Sequence, residues 1–251
     1  MKKADWKNEI WLDALFAQIS RIAYTNAKPA KKYFKALGFT KHTFIDVDGA
    51  QAHIVEDKIG NLVFAFRGTE PTELSDIAAD LKAWKMKSRT AGRVHDGFFD
   101  ETNKIWPNIE NYKQAGKTLW ICGHSLGGAM ATISATRLCQ GSSPRLFTYG
   151  SPKVGNTEWL SFNSGIDHHR FVNTNDAVTK VPPRLLGFKH QGKLCYINYY
   201  GNIRDLTVWQ RIKDHWRARW RALQKGQPFA GFVDHSIGRY TTKLVKLCEL
   251  G

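Results

Sequence analysis

Across residues 6–23 the apolar side chains Trp6, Ile10, Leu12, Leu15, Phe16, Ile19 and Ile22 recur at three- and four-residue steps, the spacing of one face of an α-helix. A shorter basic helix is expected through 29–37. The pattern then changes to extended segments at 42–46, 51–56 and 61–67, separated by Asp48-Gly49 and Gly60-Asn61, both strong turn dipeptides, which predicts an antiparallel meander. Further on, apolar strand-like runs alternate with helical patterns: strand 118–122, helix 126–140, strand 145–149, helix 157–163, strand 170–173. Such alternation builds parallel βαβ units. The expected whole is an α/β protein with a mixed, mostly parallel central sheet flanked by helices. With 251 residues and no internal repeat or low-complexity linker, a single domain spanning 1–251 is expected.

Charge modifies this picture locally. The net charge is +15. Residues 1–41 hold nine Lys/Arg against three acids, a net +6, and residues 203–225 hold seven against two, a net +5. A basic surface suits nucleic acid, an anionic lipid surface, or solubility alone. The cysteines Cys122, Cys139, Cys195 and Cys248 show neither disulfide pairing nor metal spacing, and Cys122 falls inside a predicted buried strand, so a reduced compartment is expected. The acidic residues Asp5, Glu9 and Asp13 interrupt what would have to be an apolar leader core, so no secretory signal is visible. A cytoplasmic or non-classically exported protein is therefore expected. No apolar run is long enough to span a membrane.

The candidate chemistry begins in Leu119-Trp-Ile-Cys-Gly-His-Ser-Leu-Gly-Gly-Ala-Met130, which sets Gly123-x-Ser125-x-Gly127 between a predicted strand and a small-residue helix start. There a serine can be held on a sharp turn, and the flanking glycines let strand and helix approach. A serine nucleophile needs a base, a carboxylate that orients the base, and donors for the oxyanion. Asp176, 51 residues on in a loop just beyond a strand, and His235, a further 59 on in a loop before a short C-terminal helix, follow in the order nucleophile, acid, base. His168-His169 precede Asp176 and break that order, while His190 and His215 lie among cations that depress an imidazole pKa. Gly68-Thr69 ends a predicted central strand, so Thr69 can supply oxyanion donors together with the N–H of Leu126.

Phe66-Arg-Gly-Thr69, Val94-His-Asp-Gly-Phe98, Gly123-His-Ser-Leu-Gly-Gly128, Tyr149-Gly-Ser-Pro-Lys-Val-Gly-Asn156, Val172-Asn-Thr-Asn-Asp176 and Asp234-His235 together resemble the class 3 lipases, in order from about residue 44 to 240. The resemblance implies an α/β-hydrolase fold and hydrolysis of triacylglycerol or related lipid esters through an acyl-enzyme, with no metal or other cofactor. The implied triad is Ser125 (nucleophile), Asp176 (orienting acid) and His235 (general base and acid), with Thr69 and Leu126 as the oxyanion hole. It gives His95 and Gly155 structural roles. Where the family often has proline after the acid, this chain has Ala177. Phospholipase A1, monoacylglycerol lipase and short-chain esterase keep the same machinery with another substrate. A basic nucleic-acid-binding protein is the competing class. It would show steeply salt-dependent DNA affinity and no hydrolysis, and the ordered triad argues against nucleic acid as a partner.

Two segments keep two readings each. Leu74, Ile77, Ala78, Leu81 and Trp84 share one helical face in the interval 70–93, either a mobile lid or an ordinary core helix. In 203–225, Trp209, Ile212, Trp216, Trp220 and Leu223 recur at three- or four-residue steps with arginines largely elsewhere around the helix. This is the composition of a helix lying in an anionic lipid interface, or of one packing its tryptophans on the core.

Overall fold

The computed structural model describes residues 9–69, 85–87, 91–112, 118–224 and 230–250. Helices α1 (Glu9–Ile22) and α2 (Ala27–Ala36) lead into strands β1 (Phe39–Val47), β2 (Ala50–Asp57) and β3 (Leu62–Phe66). The β1–β2 pairing closes at Val47 and Ala50 around Asp48 and Gly49, both at positive φ (49° and 81°). That two-residue turn suits the natural twist of a hairpin and explains why the Asp-Gly dipeptide stands there. A small hairpin of β4 (Lys85–Lys87) and β5 (Arg93–His95) precedes α3 (Asp96–Ile109). Next come β6 (Thr118–His124), α4 (Leu126–Leu138), β7 (Ser143–Tyr149), α5 (Thr157–Phe162), β8 (Asp167–Asn173) and β9 (Lys193–Ile197). The chain continues through α6 (Val208–Gln224), α7 (Ala230–His235) and α8 (Ile237–Leu250). Apart from 85–87 and 91–93, the interval 70–93 lies outside the described residues, and the lid helix expected there with it.

Seven strands form one sheet in the order β1-β2-β3-β6-β7-β8-β9. The first three are antiparallel, and β3, β6, β7, β8 and β9 run parallel. Side chains alternate across the sheet, so successive residues of each central strand enter opposite cores. Trp120, Cys122, Phe147, Tyr149 and Phe171 pack with Phe16 of α1 and Tyr240 of α8. Leu119, Ile121 and Leu146 pack with Ile105 of α3 and Met130 of α4. The first core is aromatic: Phe16 stacks on Phe147 at 4.3 Å and on Trp120 at 5.5 Å, and the Tyr149 hydroxyl donates to the Asp13 carbonyl at 2.7 Å. Both faces being covered accounts for the nearly continuous apolar strands read from the sequence.

Helix α6 orients against the usual rule. Its buried residues are Asp214 and Ala218, whereas Trp209, Trp216 and Trp220 are 73%, 68% and 66% exposed. Asp214 is drawn inward because it accepts from the Tyr196 hydroxyl (3.1 Å) and the Tyr199 N–H (2.9 Å), which turns the tryptophan face to solvent. Among the described residues no helix is long and apolar enough to cross a membrane.

Candidate active site

Ser125 sits between the end of β6 and the first residue of α4 with φ 58° and ψ −128°, a strained conformation for any residue but glycine. Its backbone N–H donates to the Tyr149 carbonyl (3.0 Å), and its carbonyl accepts from Gly128 (2.9 Å), so the surrounding backbone holds the turn. The turn is possible because a side chain at Gly123 would collide with the Gly127 backbone, and one at Gly127 would come 2.9 Å from the Gly68 nitrogen. These contacts press the segment carrying Thr69 against the helix start carrying Leu126. Both residues are half-buried.

Asp176 and His235 meet although 59 residues separate them. His235 Nδ1 lies 2.9 Å from both carboxylate oxygens, so its N–H donates to Asp176. The carboxylate is also held by the Val178 N–H on Oδ1 (3.0 Å) and the Tyr240 hydroxyl on Oδ2 (2.6 Å). Three neighbours thus fix it in a site shielded from water. His235 Nε2 is buried and has no hydrogen-bond partner among the described residues. With the proton on Nδ1, that nitrogen carries the free lone pair a base requires. His235 is the last residue of α7, directly before α8, rather than part of a loop, and the helix that follows runs 14 residues. Asn173 secures this junction by donating to the Asp234 carbonyl (2.7 Å), while its backbone N–H donates to the Tyr240 hydroxyl (2.9 Å).

Sequence reasoning missed three supporting positions. His124 lies tilted against His235 with ring centroids 4.4 Å apart, and its Nε2–H donates to the His235 carbonyl at 2.6 Å. A carbonyl only accepts, so Nδ1 of His124 is the acceptor for the Tyr24 hydroxyl at 2.7 Å. Burial, with His235 as a lesser cause, pushes the His124 pKa well below its usual value and keeps the ring neutral. Tyr240, five residues after His235, is the second anchor of the Asp176 carboxylate. Gly150, in the Tyr149-Gly-Ser-Pro run, has φ +59°, and a Cβ there would lie 2.6 Å from Asp176 Oδ2 and 2.8 Å from His235 Nδ1. Gly150→Ala should therefore lower kcat by about 10²-fold, the scale for displacing a reacting group by about an ångström. Steady-state ester turnover and circular dichroism check this: a folded variant with wild-type kcat would mean the Asp–His pair tolerates the shift.

The other histidines have partners elsewhere. His168 pairs with Thr148 Oγ1 (2.8 Å), His169 with Asp13 (3.0 Å), and His190 donates to the Thr179 carbonyl (2.7 Å). The His190 pKa is lowered to about 3, mainly by burial and secondarily by Arg170, and that of His215 is lowered by burial and Lys180. Burial thus leads the cationic neighbours that the sequence suggested. His95 packs at a tilt against Phe98 at 4.4 Å, and a side chain at Gly155 would strike Trp159 and the Arg93 carbonyl, so both serve packing. Among the described residues no group of His, Cys, Asp and Glu is arranged to hold a metal ion.

A mixed sheet with helices on both faces and a strand–serine–helix elbow at its centre defines an α/β-hydrolase fold. The structure of a triacylglycerol lipase, whose catalytic centre is described as a serine-protease triad, superposes with a TM-score of 0.64 over 78% of this chain and 82% of that one, at 24% identity. The family profile "Lipase (class 3)" matches residues 63–186. A secreted mono- and diacylglycerol lipase of Fusarium solani is 36% identical over 125 residues, 46% of this chain and 37% of that protein. A lipase of Rhizopus niveus is 33% identical over 197 residues, 71% of this chain and 48% of that protein. The chain belongs to the class 3 lipase family. It spans less than half the length of these two curated relatives.

The expectation of a cytoplasmic location is corrected by these matches, because the Fusarium solani relative is named as secreted, which points to an extracellular location. The features that suggested otherwise have structural explanations. Glu9 and Asp13 belong to α1, a helix packed on the sheet. Cys122 is buried, and burial pushes its thiol up to about 12, which makes it inert in either redox compartment.

Proposed function

We propose that the protein is a serine-dependent carboxylic ester hydrolase acting on lipid esters, with acylglycerols as substrate. The observation that carries this reading is the buried Asp176–His235 pair, its Nε2 without a hydrogen-bond partner among the described residues, together with a serine held at positive φ whose neighbour His124 packs against His235. In this reading His235 Nε2 takes the proton of Ser125 Oγ as the oxygen attacks the ester carbonyl. The N–H of Leu126 and donors of Thr69 meet the oxyanion. The C–O bond to the alcohol breaks as His235 returns the proton to it, leaving an acyl-serine. Water, deprotonated by the same imidazole, attacks the acyl carbonyl, and Ser125 leaves with its proton restored. Asp176 keeps the imidazole in the Nδ1–H tautomer and stabilises its cation.

The basic helix α6 gives the substrate class a physical counterpart. Its exposed tryptophans and arginines are suited to an anionic lipid surface, where the ester bonds of an insoluble substrate are found.

An alkyl phosphonate ester tests the proposal, since attack by the serine expels its leaving group and leaves a stable covalent adduct. The expected result is one adduct per chain by intact mass, mapped to the peptide containing Ser125 and accompanied by loss of acylglycerol hydrolysis. Label on another residue, or activity surviving full labelling, would overturn the assignment.

A further inference from the structure

Away from the Ser125–His235 centre, α6 roofs a cavity of about 510 Å³ over the β8–β9 edge of the sheet. Its described lining includes four cations, Arg170, Lys180, Arg211 and Arg219, with the neutral imidazoles of His190 and His215, and no Asp or Glu. Val172, Leu194, Ile212 and Trp216 supply an apolar wall. Arg170 is the unusual member. It is buried, its Nε donates to the Gln191 carbonyl (3.1 Å), and no carboxylate among the described residues pairs with it. Desolvation pushes its pKa down to about 10. Lys180, at the exposed rim, donates to His215 Nε2 (2.7 Å), which spends one of its three N–H bonds on a neutral ring; the carboxylate that attracts it, Asp176, lies outside the cavity lining. A buried cation is normally paired, and Arg170 is the buried member of the four; Arg211 is half-buried, and Lys180 and Arg219 are exposed at the rim. Four cations around one cavity whose described lining holds no Asp or Glu suit an anion.

The surroundings indicate which anion. Trp216 both lines the cavity and stands exposed beside Trp209 and Trp220, so the cavity borders the tryptophan face of α6. Indole rings settle at the headgroup level of a bilayer, the depth at which lipid phosphates lie. Thr174 and Thr179 line the cavity and bracket Asp176, so it also adjoins the loop that carries the catalytic carboxylate. The Arg217 and Arg221 side chains point elsewhere: Arg217 approaches Asp214 (3.8 Å), and Arg221 lies over the Tyr199 ring (5.1 Å).

We propose that this cavity binds the phosphate of an anionic phospholipid, anchoring the enzyme on a lipid surface through Arg170, Lys180, Arg211 and Arg219 while the tryptophans of α6 enter the interface. The inference rests on the lipid-surface reading of α6 given above and adds to it a defined headgroup site. The full chain is tested by co-sedimentation with phosphatidylcholine vesicles, with and without phosphatidic acid. Two double variants remove the same charge: Arg211→Gln/Arg219→Gln inside the cavity and Arg217→Gln/Arg221→Gln outside it. Wild type is expected to prefer the phosphatidic acid vesicles. The cavity pair should weaken that binding about tenfold more than the outer pair, since it removes charge-assisted hydrogen bonds as well as general attraction. All variants should keep wild-type turnover of a soluble p-nitrophenyl ester, because none of these arginines touches the triad. Equal losses in the two pairs would overturn the headgroup site and leave a general electrostatic attachment. Absence of vesicle binding by wild type would remove the attachment itself. Inorganic phosphate supplies the remaining arm: if it quenches tryptophan fluorescence in wild type but not in the cavity pair, while vesicles with and without phosphatidic acid bind alike, the site takes free phosphate and the lipid assignment falls.

Discussion

Ser125→Ala should lower kcat for a soluble ester by about 10⁴-fold or more while leaving the fold and KM nearly unchanged. The fold survives because what holds this turn is backbone. The Ser125 N–H to Tyr149 carbonyl bond and the Gly128 N–H to Ser125 carbonyl bond do not involve the hydroxyl. The strained φ of 58° is no worse for alanine than for serine, since both carry a Cβ. What disappears is the oxygen that the proposed mechanism uses to form the acyl-enzyme. The remaining rate reflects water attacking a substrate still polarised by the oxyanion donors. His235→Ala should cost a similar factor, and the double variant little more than either, because nucleophile and base act as one unit. Steady-state and burst kinetics with a p-nitrophenyl ester decide the matter. Turnover by Ser125→Ala within tenfold of wild type would remove Ser125 from the role.

How much of this was legible in the sequence depended on the range over which each feature is determined. The Asp48-Gly49 hairpin and the Ser125 elbow are dictated by residues within a few positions of each other, and both stand where the local pattern puts them. The mixed sheet followed from alternation in the same way. Strand β9 and helix α3 went unread: β9 is short and its burial depends on pairing with β8, and α3 carries Pro107 in its last turn. The supports of the site were hidden for a different reason. Gly150, His124 and Tyr240 matter because of atoms 26 to 111 residues away, and no periodicity reports such contacts. Helix α6 shows the limit of amphipathic patterns. The 3.6-residue spacing located the tryptophan stripe but not which side of it met water. That was decided by Asp214, whose bonds to Tyr196 and Tyr199 require burial of the opposite face.

Asp176→Asn should be nearly as damaging as loss of the serine, at about 10⁴-fold in kcat, although it changes one atom and no volume. Hydrogen-bond polarity drives the result. At Asp176, Oδ1 accepts from the Val178 N–H, and Oδ2 accepts from the Tyr240 hydroxyl. An asparagine must keep its carbonyl oxygen toward the Val178 N–H, because an NH₂ there would face a donor with a donor. Its NH₂ then faces Tyr240 and His235. The Tyr240 hydroxyl can rotate to accept, but His235 Nδ1, 2.9 Å from both positions, can keep its proton for the retained oxygen only by setting its N–H against that NH₂, and it relieves this clash by moving the proton to Nε2 and accepting. The imidazole then presents an N–H to Ser125 where it previously offered a lone pair, and it cannot serve as a base. KM should change little, since the exchange lies on the far side of the imidazole from the substrate. Nitrogen-15 NMR of the labelled histidines distinguishes this from simple damage: the His235 resonances should report the Nε2–H tautomer in the variant and Nδ1–H in wild type. A folded Asp176→Asn enzyme with kcat within tenfold of wild type would show that the carboxylate does not set the tautomer.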